Sequence, residues 1–129
     1  MFKAAFSGIS VDDQAKAKEF YTKTLGLKLA DETMGLTFNL PGGGQLFAYP
    51  KDDHQPATFT VLNFVVNDID KTADELKHKG VKFEQYDLGG GVKTDVNGIM
   101  RGLAANQGPD IAWFKDPAGN ILSVIEETS

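Results

Sequence analysis

The sequence predicts an α+β fold in which two modules share one order of elements: a strand, a helix and three further strands. The chain has 129 residues, the size of one ordinary domain. Two observations support the prediction. Val11 and Asp13 recur 55 residues later as Val66 and Asp68, each pair at a junction between an extended run and a helical segment. A glycine also follows both predicted helices at nearly the same separation, where it marks the helix end.

The first module covers about residues 1–50. Phe6–Val11 is a short extended run, and the two aspartates after it are a helix-start signal. The segment Gln14–Leu25 places apolar residues three and four positions apart, which predicts an amphipathic helix that Gly26 ends. Turn residues then separate three predicted strands, at Leu27–Asp31, Leu36–Leu40 and Gln45–Tyr49.

A polar, turn-rich linker of about residues 51–57 leads into the second module, about residues 58–129. Its first strand is predicted at Phe59–Val66, and Asp68 is the expected cap of a helix that runs to Lys79. Three strands complete the module, at Val81–Tyr86, Ile111–Lys115 and Ile121–Glu126.

Composition excludes several classes of function. The formal charge is −5, the lysines are spread along the chain and Arg101 is the single arginine, whereas a nucleic-acid-binding protein needs a basic face. The absence of cysteine excludes disulfides, thiolate metal sites and cysteine nucleophiles. No apolar run is long enough to span a membrane, and the opening residues lack the apolar core of a signal peptide. We therefore expect a cytoplasmic protein without nucleic-acid or membrane partners.

Three segments carry a resemblance to a known family. They are ISVDDQAKAKEFYTKTLGLKL, VLNFVVNDIDKTADELKHKGVKF and WFKDPAGNILSVIEE. Together they resemble the vicinal oxygen chelate superfamily, which includes glyoxalase I, bleomycin resistance proteins, methylmalonyl-CoA epimerases and extradiol dioxygenases. The resemblance spans nearly the whole chain and implies two βαβββ modules whose mixed sheets curve into one open cup. Because the superfamily hosts several chemistries, the function has to be argued from the residues of the cup.

The resemblance also implies positions for a divalent metal, which family enzymes hold with His and Glu or Gln side chains from four strands. Those positions fall here on Phe6, Val61 and Ser123, and on either Gln45 or Leu46. Phenylalanine and valine have no donor atom, and a neutral serine hydroxyl is a poor ligand. We therefore expect neither the family metal site nor any cofactor.

Strand alternation predicts which other side chains face the cup. It places Phe6, Phe47 and Val61 there as apolar walls, with neutral polar groups between them. Such a lining is typical of a small-molecule site, although the same side chains would also fill the cup as core. Trp113 suits either structural anchoring or ligand stacking, and Arg101 either a loop closing over the cup or a surface charge. The predicted ligand-binding residues are Phe6, Gln45, Phe47, Val61, Asn63, Arg101, Trp113 and Ser123.

No catalytic residue is identified from the sequence. His78 falls at a predicted helix end, and His54 follows two aspartates in what we expect to be a solvated turn rather than a metal site. No pairing of a nucleophile with a base is evident. A general base in the cup would have to be Asp95, Asp110 or Tyr49, none of which has specific support.

The sequence thus favours a glyoxalase- or bleomycin resistance-type protein without the family metal site, which binds an apolar or aromatic small molecule in the cup. The alternative is a lyase- or isomerase-type enzyme with another metal site or none. A third reading is a structural or interaction protein whose own side chains fill the cup. Related two-module proteins commonly dimerise, and the resemblance implies a homodimer.

Overall fold

The computed structural model describes residues 1–128, which form two four-stranded mixed sheets and two helices. The chain divides into a first unit, of residues 1–56 with the turn at 116–119, and a second unit, of residues 57–115 and those from 120 onward. Each unit holds one sheet and one helix, which confirms the predicted repeat of a strand, a helix and three strands. Neither helix of residues 1–128 combines the length and apolar composition needed to cross a membrane.

The first unit begins with β1 (Ser7–Val11) and α1 (Gln14–Glu19). The side chain of Asp13 caps α1, since its carboxylate accepts a hydrogen bond from the backbone N–H of Lys16 at 3.0 Å. The remaining strands of the unit are β2 (Lys28–Asp31), β3 (Leu36–Asn39) and β4 (Gln45–Pro50). The strands lie in the order β1-β4-β3-β2, with β1 parallel to β4 and the other pairs antiparallel.

Alternation gives the first sheet one buried face. Its core side chains are Ile9, Val11, Leu36, Phe38, Leu46 and Ala48. Tyr21, next to α1, packs on this face with its ring centroid 5.2 Å from that of Phe38. Because successive strand residues point to opposite sides, the intervening residues of β1 and β4 lie on the other face. That face holds the predicted site residues of this unit.

The end of the first helix differs from the prediction of a regular helix to Leu25. After α1 the backbone continues as a π-helical turn (Phe20–Thr24), in which the N–H of Leu25 donates to the carbonyl of Phe20 at 3.0 Å. The hydroxyl of Thr22 donates to the carbonyl of Lys18 at 2.6 Å, and such side-chain bonds to the preceding turn disturb a regular helix. Hydrophobic spacing alone does not reveal this competition.

The second unit repeats the pattern with β5 (Thr60–Val66) and α2 (Ile69–His78), which Asp68 caps as predicted. Its strands lie in the order β5-β8-β7-β6, and β5 is parallel to β8. The last strands are β6 (Ile99–Met100), β7 (Ile111–Lys115) and β8 (Ile121–Glu126). The core joins one face of α2 to the sheet through Ile69, Ala73, Leu76, Ala112, Phe114, Leu122 and Val124.

The predicted strand at Val81–Tyr86 is wrong. Its pairing with β7 is limited to an isolated bridge between Phe83 and Phe114 and one bond from the Glu84 N–H to the Trp113 carbonyl at 2.8 Å. The backbone of Tyr86 bonds instead to Thr94, whose N–H donates to the Tyr86 carbonyl at 2.9 Å. The two-residue strand β6 pairs with the neighbouring part of β7, at Ile111 and Ala112.

A buried polar contact joins the π-helical turn after α1 to the turn at 116–119. The Tyr21 hydroxyl donates to Asp116 Oδ2 at 2.7 Å, and the other oxygen of that carboxylate accepts from the Ala118 N–H at 2.9 Å. Tyr21 is 0% exposed and Asp116 is 4% exposed. Burial first, and then the charge of Asp116, raise the pKa of the Tyr21 phenol, so this hydroxyl stays a donor.

Candidate functional site

In the first unit, three aromatic rings lie on the face of the sheet opposite its buried core. We call Phe6, Phe47 and Tyr49 the aromatic face. The ring centroids of Phe6 and Phe47 are 6.2 Å apart in an edge-to-face arrangement, and those of Phe47 and Tyr49 are 5.8 Å apart and stacked. Phe6 is 68% exposed, while Phe47 and Tyr49 are half-buried. The structure thus brings together two predicted site residues, Phe6 and Phe47.

One glycine makes room for a ring of the aromatic face, and a second lies beneath another ring. A Cβ on Gly35 would lie 2.9 Å from the ring of Phe47, closer than side-chain atoms approach in proteins. A Cβ on Gly8 would lie 3.9 Å from the ring of Tyr49, so that ring extends over the backbone of β1. The rings of Phe47 and Tyr49 thus pass close to the backbone at Gly35 and Gly8.

Gln45 lies at the exposed start of β4, opposite Asn39 of β3. Its side-chain Nε2 donates to Asn39 Oδ1 at 3.1 Å. Its neighbour Leu46, the other position considered for the fourth metal ligand, is 0% exposed in the core. Gln45 is thus the residue of the two that is open to solvent.

In the second unit, Asn63, Ser123 and Trp113 form one row across three strands. Asn63 of β5 and Trp113 of β7 are both register partners of Ser123 in the central strand β8. The Ser123 hydroxyl donates to Asn63 Oδ1, and Ser123 is 0% exposed. This row lies on the face opposite α2, because the alternate residues Leu122 and Val124 are buried in the core.

Trp113 is held at both ends of its ring system. Its Nε1–H donates to Thr60 Oγ1 at 3.2 Å, and its ring lies edge-to-face with Tyr86 at a centroid distance of 5.2 Å. The register of β5 against β8 skips one residue at Val61, since Thr60 pairs with Ile121 and Leu62 pairs with Leu122. The sequence pattern indicates regular alternation through Val61, whereas in the structure the residue that reaches Trp113 is Thr60.

Arg101 forms an ion-pair cluster with three carboxylates of the second unit. Its guanidinium binds Asp70 with two bonds, of 2.6 and 3.1 Å, and also reaches Asp95 at 3.2 Å and Asp110 at 3.4 Å. The bonds to Asp70 are the main cause that raises the pKa of Arg101 and lowers the pKa of Asp70. Asp70 belongs to α2, so Arg101 lies beside that helix and not in the row of Ser123.

Sequence reasoning missed a hydrogen-bonded pair in the first unit, Ser10 with His54. Ser10 Oγ lies 2.6 Å from His54 Nδ1, and His54 Nε2 lies 2.9 Å from the carbonyl oxygen of Ala118. The turn predicted at residues 52–53 is present, but His54 itself is half-buried rather than solvated. No local pattern signals this pair, because its members are 44 residues apart. The other histidine, His78, ends α2 and contacts the Asp74 carbonyl at 2.8 Å.

The residues at the family's metal positions do not fit a metal ion. Phe6 and Val61 have no donor atom, and the Ser123 hydroxyl is buried in its bond to Asn63. The amide nitrogen of Gln45 donates to Asn39. Within residues 1–128, no three His, Cys, Asp or Glu side chains are arranged to hold a metal ion.

Comparison with known proteins supplies the family. Residues 4–124 match the model of the Glyoxalase/Bleomycin resistance protein/Dioxygenase superfamily. No match is found among curated proteins. Three solved structures share the fold at low sequence identity: TnmS3, an antibiotic binding protein from Streptomyces sp. CB03234; the fosfomycin resistance protein FosX from Listeria monocytogenes; and lactoylglutathione lyase from Agrobacterium tumefaciens.

The similarity to each of these structures extends over nearly the whole chain. TnmS3 is 23% identical with a TM-score of 0.65, covering 99% of both chains. FosX is 14% identical with a TM-score of 0.68, covering 99% of this chain and 95% of its own. The lyase is 19% identical with a TM-score of 0.64, covering 96% and 93%. The chain belongs to the Glyoxalase/Bleomycin resistance protein/Dioxygenase superfamily.

Proposed function

We propose that this protein binds an uncharged or cationic aromatic small molecule and does so without the metal site of the family's enzymes. The observation that carries the proposal is the aromatic face, Phe6, Phe47 and Tyr49, which lies partly exposed on the side of the first sheet opposite its core. Aromatic side chains with a few polar groups at their margin are typical of small-molecule sites. Gln45 supplies such a group on the same strand. Asn63, Ser123 and Trp113 are proposed as ligand-contacting residues of the second unit, taken by itself.

Charge supports the preference for neutral or cationic ligands. The net charge is −5, and the single arginine is already bound to three carboxylates in the second unit. An anionic ligand on the aromatic face would lose its hydration without gaining a bond to this arginine. A cation over an aromatic ring gains about 0.5–2 kcal/mol.

The names of two structural relatives support ligand binding. TnmS3 is described as an antibiotic binding protein and FosX as a fosfomycin resistance protein. At 23% and 14% identity these relatives share the fold, and the ligand class proposed here rests on the aromatic face of this chain.

Binding is tested by a thermal-shift screen of aromatic amines, neutral aromatics and aromatic carboxylates, followed by titration of the hits. We expect amines and neutral compounds to bind. Phe6→Ala removes one wall of the face and weakens a hit by about 2- to 13-fold, since an aromatic contact is worth about 0.5–1.5 kcal/mol. Phe2→Ala is the matched control, because Phe2 is 91% exposed in the same unit and outside the aromatic face. The proposal is contradicted if every hit is a carboxylate, or if the hits bind Phe6→Ala protein as tightly as wild-type protein.

The second candidate is a lyase- or isomerase-type enzyme, favoured by the similarity to a lactoylglutathione lyase. We expect no metal-dependent glyoxalase activity, because Phe6, Val61 and Ser123 occupy three metal positions. The assay is turnover of the methylglyoxal–glutathione hemithioacetal with added nickel, zinc or manganese. A rate above about 1 per second that disappears on chelation would establish the enzyme instead.

A homodimer in the cytoplasm completes the proposal. Exposed apolar side chains such as Phe59 and Val65, each 67% exposed, are more readily explained on a surface that a second copy covers. Light scattering at micromolar concentration should give twice the chain mass of 14.0 kDa. A mass near 14.0 kDa would show a monomer.

A further inference from the structure

We propose that Ser10 and His54 form a nucleophile–base pair through which the protein accepts acyl groups from uncharged aromatic esters. The pair has the three-part arrangement of an activated serine: a hydroxyl within hydrogen-bond distance of an imidazole, and a third group that orients the imidazole. The distances are 2.6 Å from Ser10 Oγ to His54 Nδ1 and 2.9 Å from His54 Nε2 to the Ala118 carbonyl oxygen.

The contacts of His54 determine the direction of both hydrogen bonds. A carbonyl oxygen only accepts, so Nε2 carries the hydrogen of the neutral imidazole and donates it to Ala118. Nδ1 is then the acceptor, and the Ser10 hydroxyl donates to it. If Nδ1 takes the proton of Ser10, the resulting imidazolium keeps its bond to the Ala118 carbonyl, which stabilises the positive charge.

The orienting carbonyl is itself firmly placed. The N–H of Ala118 donates to Asp116 Oδ1 at 2.9 Å, and the other oxygen of Asp116 accepts from Tyr21. Ala118 is buried, and His54 is half-buried. The imidazole is therefore held on both nitrogens by groups with little freedom to move, as a general base requires.

Ser10 lies on the side of the sheet where an aromatic substrate would rest. It is half-exposed and is the register partner of Tyr49 in β4, on the same face as Phe47. An aryl group stacked on Tyr49 and Phe47 would hold its ester carbonyl near the end of β1, where Ser10 lies. The choice of an aromatic ester rests on the proposed function, whereas the reactivity of Ser10 does not.

The reaction balances without any further reagent. Ser10 Oγ bonds to the acyl carbon, and the hydroxyl proton passes to His54 Nδ1. The bond between the acyl carbon and the aryl oxygen breaks, and the proton passes from His54 to that oxygen to give a phenol. Water then attacks the acyl-serine, gives its proton to His54, and releases the carboxylic acid while Ser10 regains its hydrogen.

The first test uses an alkyl fluorophosphonate, which needs no aromatic binding. The Ser10 oxygen displaces fluoride from phosphorus, and peptide mass spectrometry locates the added mass. We expect labelling of wild-type protein at Ser10, none at that position in Ser10→Ala, and at least about 100-fold slower labelling in His54→Gln, because a general base contributes 10²–10⁴-fold. Ser7→Ala is the matched control, since Ser7 is exposed on the same strand and should not affect the rate.

Fluorophosphonate labelling of wild-type protein tests the reactivity of Ser10 even if a variant fails to fold. Absence of label, or label on another residue, overturns the proposal. Equal rates in wild-type and a folded H54Q protein overturn the role of His54. A second test compares acetylation by p-nitrophenyl acetate in wild-type and Phe6→Ala protein. If the fluorophosphonate labels Ser10 but wild-type and Phe6→Ala protein are acetylated at the same rate, the aromatic substrate class is overturned. The reactivity of Ser10 is then still supported.

Discussion

Replacing Tyr21 with phenylalanine removes one oxygen atom from the centre of the first unit. The hydroxyl donates to Asp116 Oδ2 at 2.7 Å, and both side chains are excluded from solvent. A hydrogen bond to a charged group is worth about 1.5–3 kcal/mol, and leaving a buried acceptor short of a donor costs a similar amount. We therefore expect the free energy of unfolding to fall by about 2 kcal/mol, which lowers the melting temperature by about 7 °C for a chain of this length.

Urea unfolding followed by circular dichroism measures this loss directly. Tyr49→Phe is the control, because Tyr49 is half-exposed and removal of its hydroxyl should change the unfolding free energy by less than about 0.5 kcal/mol. If the two variants lose the same stability, the bond between Tyr21 and Asp116 is not a major contributor to the fold. An unchanged m-value would show that the loss arises in the folded state.

Three further predictions concern stability. Burial raises the pKa of Tyr21 above its ordinary value of 10.0, so the stability it contributes is present below pH 10 and declines above it by about 1.4 kcal/mol per pH unit. The difference in unfolding free energy between wild-type and Y21F protein should therefore fall to zero at about pH 11.5. A difference that increases with pH would refute this. Arg101→Met leaves the buried carboxylate of Asp110 without a cation and should cost about 1–2 kcal/mol in urea unfolding, unlike the exposed control Lys93→Met. Asp68→Ala removes the cap of α2 and should cost about 1 kcal/mol, with unchanged stability as the contrary result.

Local sequence signals predicted most of the fold. The bounds of β7 and β8 match the structure, because alternating apolar residues flank a turn with proline and glycine. Asp13 and Asp68 cap their helices as predicted, since a cap is a contact within four residues. The strand predicted at Val81–Tyr86 is reduced to a bridge at Phe83, because its composition suits a strand while the backbone of Tyr86 bonds to Thr94 and not to β7.

The candidate site was less predictable than the fold. Alternation correctly separated the aromatic face from the buried core, because one face of the first sheet is packed and the other is not. It did not reveal that Arg101 binds three carboxylates, of which Asp70 is 31 residues away. The contacts of His54 were not predicted because both its partners are distant, Ser10 by 44 residues and Ala118 by 64. Contacts of this kind follow from the tertiary fold and have no local pattern.

Because residues 116–119 belong to the first unit, they determine when that unit can complete its folding during synthesis on the ribosome. Domains generally fold in the order of synthesis. Here the first fifty-six residues leave the ribosome long before the aspartate that accepts from Tyr21, 95 positions later. Until then the buried phenol has no acceptor and the imidazole of His54 has no carbonyl. The first unit therefore completes its buried hydrogen bonds only after residues 116–119 have been synthesised.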